Sequence, residues 1–309
     1  MLVYIVRRLL WLPVLLGAVT FVTFILGYYG PGDPVQVRLG TRYTPEAAAR
    51  LRREMGLDRP LLVQYADYMR KAIRGDLGES YTYPGRSVSS LIGKKIWVSA
   101  QLGFAALLIG VSLGIPLGLL AAYRQGTWVD TALVSSALFF YSMPVFITAP
   151  FLILVLAVRL DLLPTAGWKG LFSPHIVMPA LVMGLPGIAG IARLTRAAAL
   201  EVIGQDYIRT ARAKGLPEHL VQGRHVLRNA LIPVATVVGL SLAGLVEGAF
   251  ITETIFGIPG IGRLAVDSIF RRDYPVITAL TMIFAVSFVL ANLLVDILYA
   301  FLDPRIRYR

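Results

Sequence analysis

Two acidic residues stand in or beside long apolar runs. Glu247 lies toward the end of the fifth run; Asp296 lies in the sixth, with Asn292 and Tyr299 each about one helical turn away. An ionisable group in such a place is a candidate for lining or gating a path across a membrane. The plainer reading is that each reaches water near an interface, with Asp296 free to pair with a C-terminal arginine. Residue type excludes most other chemistry. Without cysteine there is no thiol nucleophile, disulfide or thiolate metal site. His175, His219 and His225 lack metal-ligand spacing. Gly93-Lys94 comes nearest to a phosphate-cradling loop, but Val88 stands where its first glycine belongs and Lys95 where its hydroxyl belongs. There is no G-x-S-x-G, no H-E-x-x-H and no pair of intramembrane acids. The chain reads as a non-enzyme that binds no cofactor or metal of its own. Work against a gradient would need a partner or a coupled ion.

The long polar interruption in the second half spans 193–233 and reads RLTRAAALEVIGQDYIRTARAKGLPEHLVQGRHVLRNALIP. Within it, 206–215 is laid out as a short punctuated helix. Asp206 is expected to cap its start, and Gly215 to take the left-handed conformation that ends it. Pro217 is placed to open the next helix. About two turns between these signals make a rod of roughly 12 Å, a compact knob that needs a socket.

The elements that must hold this knob are membrane helices. The chain has 309 residues, 56% hydrophobic and only 16% charged, with a mean hydropathy of +0.69. A soluble domain carries about a quarter charged residues. Apolar runs at about 9–29, 99–123, 131–158, 176–193, 230–252 and 276–301 are long enough to cross a bilayer. The first follows Arg7 and Arg8 and has no cleavage-site pattern after it, so it reads as a retained span. Six spans put both ends on one side. Basic residues of the short connections favour that side as the inside: Arg7, Arg8, Arg124, the cluster in 193–228, and Arg305, Arg307 and Arg309. The net charge of +12 is thus read as loop charge meeting anionic headgroups rather than as a nucleic-acid site.

Residues 30–98 are basic too, but segments this long cross largely regardless of charge. They carry their own helix signals. Thr44-Pro45-Glu46 starts one helix that Gly56 ends. A second, from about 60 to 75, places Leu61, Tyr65, Met69 and Ile73 on one face, to pack on the neighbouring span or to receive an external partner. Pro116, Pro144, Pro150, Pro179 and Pro186 interrupt the spans, and Pro144 joins Glu247 and Asp296 as a pore or gate candidate.

The motif DYIRTARAKG (206–215), with LRNALIP at 227–233, resembles the coupling loop of membrane subunits of binding-protein-dependent ABC importers. The resemblance is closest to the dipeptide/oligopeptide/nickel permease branch, in the subunit type with a long external segment. GPGDPV (30–35), MGLDRPLLVQYADYMRKAIRGDLGES (55–80), ETIFGIPGIGRLAVDSIFRRDYPVI (253–277) and LLVDILYAFLDPRIR (293–307) match in order over nearly the whole chain. Arg209, Thr210 and Ala211 replace the Glu-Ala-Ala of the general motif, a departure shared with the peptide branch. The resemblance implies an all-α polytopic membrane protein with the type I ABC importer permease fold: six transmembrane helices and both termini cytoplasmic. Residues 1–98 would form the first helix plus the extracytoplasmic segment, and 99–309 a five-helix core with a coupling loop at 194–229. Asp206, Tyr207, Arg209, Thr210, Arg212, Lys214 and Gly215 would form or contact the coupling helix. The implied partners are a second homologous permease subunit, two ABC ATPase subunits that hold ATP and Mg, and an extracytoplasmic solute-binding protein. The implied cargo is short peptides taken across the cytoplasmic membrane, with nickel chelates, glutathione or oligosaccharides as alternatives. An ion-coupled secondary transporter is the rival class; it predicts inverted repeats and midplane ion ligands, and no repeat is visible.

Overall fold

The computed structural model describes residues 2–29 and 33–302; for 2–9, 34, 37, 243, 246, 247 and 294–302 it describes the backbone alone. The described residues are helical almost throughout. Helix α1 (Leu2–Tyr29) is followed by three short helices, α2 (Pro34–Leu39), α3 (Pro45–Glu54) and α4 (Leu61–Ala72). The long α5 (Val88–Tyr123) leads to α6 (Trp128–Ser142) and α7 (Val145–Leu152), which runs on as a π-helical stretch, Ile153–Arg159. Then come α8 (Val177–Ile203), the short α9 (Asp206–Ala213), a single turn α10 (Glu218–Leu220) with a π-helical continuation (Val221–Leu227), and α11 (Arg228–Glu247). Two short helices, α12 (Phe250–Ile255) and α13 (Ile261–Arg271), precede the last long one, α14 (Tyr274–Leu302).

Five of these helices are long and apolar enough to cross a membrane. The sixth crossing comes from α6 and α7, which meet at a bend of 102°. This differs from the single span expected at 131–158. Pro144 has no N–H to give α6 and forces Met143 into an extended conformation (φ −79°, ψ 119°), so the helix stops and restarts. The bent pair still makes a crossing. Helices α5 and α8 lie parallel: Gly110 faces Gly187, Gly114 faces Ile191 and Gly118 faces Thr195. The chain between them must return, and it does. Asp130 at the start of α6 binds Arg196 near the end of α8, while Ala149 and Ala157 pack with Met178 and Ala180 near the start of α8.

Small residues set how closely the central helices approach. A Cβ on Gly118 would lie 2.4 Å from the Ala192 carbonyl oxygen, and one on Gly114 2.8 Å from the Ile191 side chain. In a bilayer, where apolar burial alone does not drive helices together, such close backbone packing is what holds them.

Other boundaries shift for local reasons. Helix α5 begins at Val88, inside the stretch read as external, because Ser87 accepts from the Ser90 N–H and caps it there. Helix α8 runs to Ile203, well past the apolar run that ends at 193, so much of the polar loop is helix. The run at 230–252 breaks at Gly248, whose φ of 77° ends α11. The expected helices before α5 form as read: Thr44 accepts from the Ala47 N–H, and Gly56 follows α3 with φ 66°. Helix α4 packs its Tyr65 on α1. The phenol donates to the Gly17 carbonyl (2.8 Å) and shares a hydrogen bond with Thr20 Oγ1 (2.9 Å). Phe21 and Phe24 stand edge-on to its ring. Ile73 lies past the helix end and is exposed, so it does not share that face.

Candidate coupling surface and the buried acids behind it

Helix α9 has two kinds of residue. Ile208 is fully buried and Ala211 nearly so; they seat among Ala122 of α5, Ala198 and Ala199 of α8, Val221 and Val226 of the π-helical turn, and Ala230 of α11. Every other named candidate faces out. Asp206, Tyr207, Arg209, Thr210, Arg212, Lys214 and Gly215 are all exposed. The knob is thus an outward polar face on an apolar foot, and its foot stands on the ends of three long helices.

Its punctuation is partly as read. Gly215 adopts φ 75° and donates its N–H to the Arg212 carbonyl (2.9 Å), while the Leu216 N–H returns to Ala211 (3.3 Å), so the helix closes through a left-handed glycine. Asp206 is not the cap. Gln205 holds that position without a side-chain bond, and Asp206 is the first residue inside the helix, where its charge suits the positive end of the dipole. Its carboxylate pairs with Arg209 at 3.4 Å, both side chains being exposed. Arg212 is braced against Glu218 by bonds of 2.9 and 3.2 Å, and these raise its pKa further above the ordinary value for arginine. The Tyr207 hydroxyl accepts from Asn229 Nδ2 (3.1 Å), which ties the knob's rim to the start of α11. Thr210 donates back to the Asp206 carbonyl (3.0 Å).

The three pore candidates are not brought together by any described contact. Pro144 sits at the bend between α6 and α7. Glu247 is the last residue of α11, and Asp296 lies within α14; both side chains fall outside the described residues.

The acids that organise the molecule were not among the candidates. Glu253, at the far end of the bundle from α9, is fully buried. It accepts from Ser99 Oγ of α5 (2.6 Å), the Ala249 N–H (3.2 Å) and the Arg263 N–H (2.7 Å). Ser99 in turn accepts from the Ile261 N–H (2.8 Å). The carboxylate fits only because Gly260 has no side chain: a Cβ there would lie 2.3 Å from it. Asp273, also fully buried, joins α13 to α14 and accepts from the Tyr81 N–H (3.0 Å), the Thr82 N–H (3.2 Å) and the Ser80 hydroxyl. It therefore latches the segment before α5 to the same end of the bundle. Burial first, and the Asp273 carboxylate second, push the Tyr81 phenol up to about 12, so it stays neutral beside that charge. At the α9 end, Asp130 takes a two-pronged contact from Arg196 (2.7 Å on each arm) and the Gly126 N–H (3.1 Å). The signal for Glu253 is present in the sequence as a lone acid among Gly248, Gly257, Gly260 and Gly262. Asp273 carries no local signal, since its partners lie far away in the chain; Asp130 follows Thr127 as an acid in a first helical turn and binds the nearby Gly126 N–H, but nothing local points to Arg196. Among the described residues, no group of three or more His, Asp or Glu could hold a metal ion.

The comparisons agree with this architecture. A family model described as "Binding-protein-dependent transport system inner membrane component" matches residues 114–308, and its N-terminal companion matches 1–94. A probable peptide ABC transporter permease protein of Sinorhizobium fredii is 39% identical over 312 residues, covering 99% of each chain. The dipeptide transport system permease protein of Escherichia coli K12 is 39% identical over 340 residues, covering all of both chains. Among solved structures, a chain from inward-facing conformations of the MetNI methionine ABC transporter shares the fold. Its TM-score is 0.57 at 19% identity, with 69% of this chain and 97% of that chain covered. With six crossings, full-length relatives and a family model spanning most of its helices, this chain belongs to the inner membrane components of binding-protein-dependent ABC transport systems.

Proposed function

We propose that the chain forms half of the translocation pore of an ATP-driven importer of short peptides. Its other half is a second, homologous permease. Two ATPase subunits supply hydrolysis and hold ATP and Mg, and an extracytoplasmic binding protein delivers the peptide. The chain itself is not an enzyme. It lies in the cytoplasmic membrane with α9 on the cytoplasmic side, where the basic loop belongs.

The observation that carries this reading is the two-sided build of α9. An exposed face of Tyr207, Arg209, Thr210, Arg212 and Lys214 suits a groove on an ATPase. The buried foot of Ile208 and Ala211 rests on α5, α8 and α11 together. A displacement of the knob therefore reaches several spans at once, and the Asp130–Arg196 contact extends it to α6. Close packing resists absorbing such a shift locally. The cargo follows the relatives, whose names specify peptides and dipeptides.

Co-purification in mild detergent tests the assembly. A second permease and P-loop ATPases should come with the tagged chain, and a dipeptide-loaded binding protein should raise hydrolysis. A chain recovered alone, without ATPase, would remove the coupling role and favour an ion-coupled transporter.

A further inference from the structure

Arg193 lies about one turn before Arg196 on α8. Its Nε is buried and has no hydrogen-bond partner among the described residues. Its guanidinium sits over the Tyr141 ring, 4.7 Å from the centroid. That stacking satisfies the flat face of the cation and leaves its edge wanting an acceptor. Arg196 is already neutralised by Asp130. The three charged groups thus leave one positive charge uncompensated. Within a membrane span that is costly unless an anion meets it.

A cavity of about 210 Å³ opens beside these arginines, between α5, α6 and α8. Apart from Arg193 and Arg196 its walls are almost wholly apolar, with Leu133, Phe140, Leu185 and Ile188 prominent. It is elongated along the spans: Arg193 to Leu185 is about 12 Å of helix. Its depth can be placed. Asp130, which holds Arg196, shares the first turn of α6 with Trp128, and Trp128 is 80% exposed. An exposed tryptophan at the end of a span marks headgroup level. Arg196 therefore lies near the headgroups of the leaflet on the α9 side, while Arg193, stacked on Tyr141 in the last turn of α6, reaches deeper into the slot, whose apolar remainder runs toward the midplane. Leu138, Phe139 and Tyr141 on α6 are exposed, so this chain leaves the α6 surface around the slot uncovered.

We propose that the slot binds one anionic phospholipid, with its phosphodiester on Arg193 and an acyl chain along Leu133, Phe140, Leu185 and Ile188. A monoanionic phosphodiester matches the single uncompensated charge, and basic pockets between membrane helices suit such headgroups. Free phosphate would meet the charge and leave the apolar slot unfilled. A peptide would bring backbone N–H and C=O groups into walls that offer them no partners.

The test uses the chain together with whatever subunits co-purify with it. Bound phospholipid is measured by mass spectrometry after delipidation and incubation with dioleoylphosphatidylglycerol or dioleoylphosphatidylcholine. Phosphatidylglycerol should be retained in preference to phosphatidylcholine. Arg193→Gln should lower its retention by about fivefold, the worth of one basic residue toward an anionic lipid. Arg193→Lys, which keeps the charge, should restore most of it. Ala137→Trp, which fills the slot and leaves the charges in place, should also lower retention. Melting curves in vesicles of phosphatidylcholine, alone or mixed in equal parts with phosphatidylglycerol, give a second reading. Only the wild type and Arg193→Lys should be stabilised by the anionic lipid. Equal retention of both lipids, or equal retention by wild type, Arg193→Gln and Ala137→Trp, overturns the proposal. So does inorganic phosphate alone stabilising as well as lipid, which would leave a free-anion site. Crosslinking of position 137 to a second membrane subunit, with no lipid retained, would overturn it in favour of a protein interface.

Discussion

The two ends of the helix bundle are held by different balances of packing and polar contact. At the α9 end the foot of the knob is apolar and its polar groups point outward in exposed pairs such as Asp206–Arg209, with one buried carboxylate, Asp130, held by Arg196 nearby. At the far end, buried carboxylates hold the chain from within: Glu253 gathers Ser99, Ala249 and Arg263, and Asp273 gathers Ser80, Tyr81 and Thr82. The contrast separates two tasks. On the proposed reading α9 meets a partner: its polar groups stay exposed, in short-range pairs, and its stability comes from non-directional packing. A joint between distant chain segments needs direction, and buried hydrogen bonds supply it, since leaving any one unmade is expensive.

The comparison can be broken at either end, and the far end should break harder. Glu253→Ala orphans the donors around it and should cost about 4 kcal/mol. The expected result is loss of a monodisperse peak in detergent and low accumulation in the membrane. A variant that melts like the wild type would show that the carboxylate is not a joint. Gly215→Pro comes next. Proline cannot adopt φ 75° and has no N–H for the Arg212 carbonyl, so the local cost should be about 3 kcal/mol. Membrane insertion should survive while peptide-stimulated hydrolysis falls. Normal uptake with normal ATPase assembly would remove the coupling role of α9. Ile208→Ala should cost about 2–3 kcal/mol by emptying the foot of the knob. It should lower transport per ATP hydrolysed, and an unchanged ratio would mean that the foot transmits nothing. Arg209→Ala should have the smallest structural effect, with no resolvable change in melting temperature, because its pair with Asp206 is exposed. It should still weaken ATPase binding in a pull-down; full binding would take Arg209 out of the contact face.

How much of this could be read beforehand depended on how local the signal was. Gly215, Thr44 and Gly56 act within a few residues of themselves, and each did what its type predicts. The spans were visible because a bilayer demands long apolar runs. Asp206 misled because it has the right type for a cap, while the helix already begins at Asp206 and the extended cap position falls on Gln205. The bend at Pro144 was present as a proline, but proline in a span often changes little, and nothing local says which one breaks the helix. The partners of Asp130 and Asp273 were invisible for a different reason. Asp130 meets Arg196, and Asp273 meets Ser80, from remote parts of the sequence, and only the fold makes them neighbours.

The bend between α6 and α7 also bears on what holds that crossing in place. Trp128–Ser142 and Val145–Arg159 are each 15 residues long, which at helical rise is about 22 Å, short of the roughly 30 Å hydrocarbon core. Neither half can cross as an independent rod, and the backbone between them at Met143 makes no regular helical bonds. The crossing therefore leans on α8, whose Arg196 receives Asp130 and whose first turns pack with Ala149 and Ala157. The third crossing thus takes its hold from the fourth.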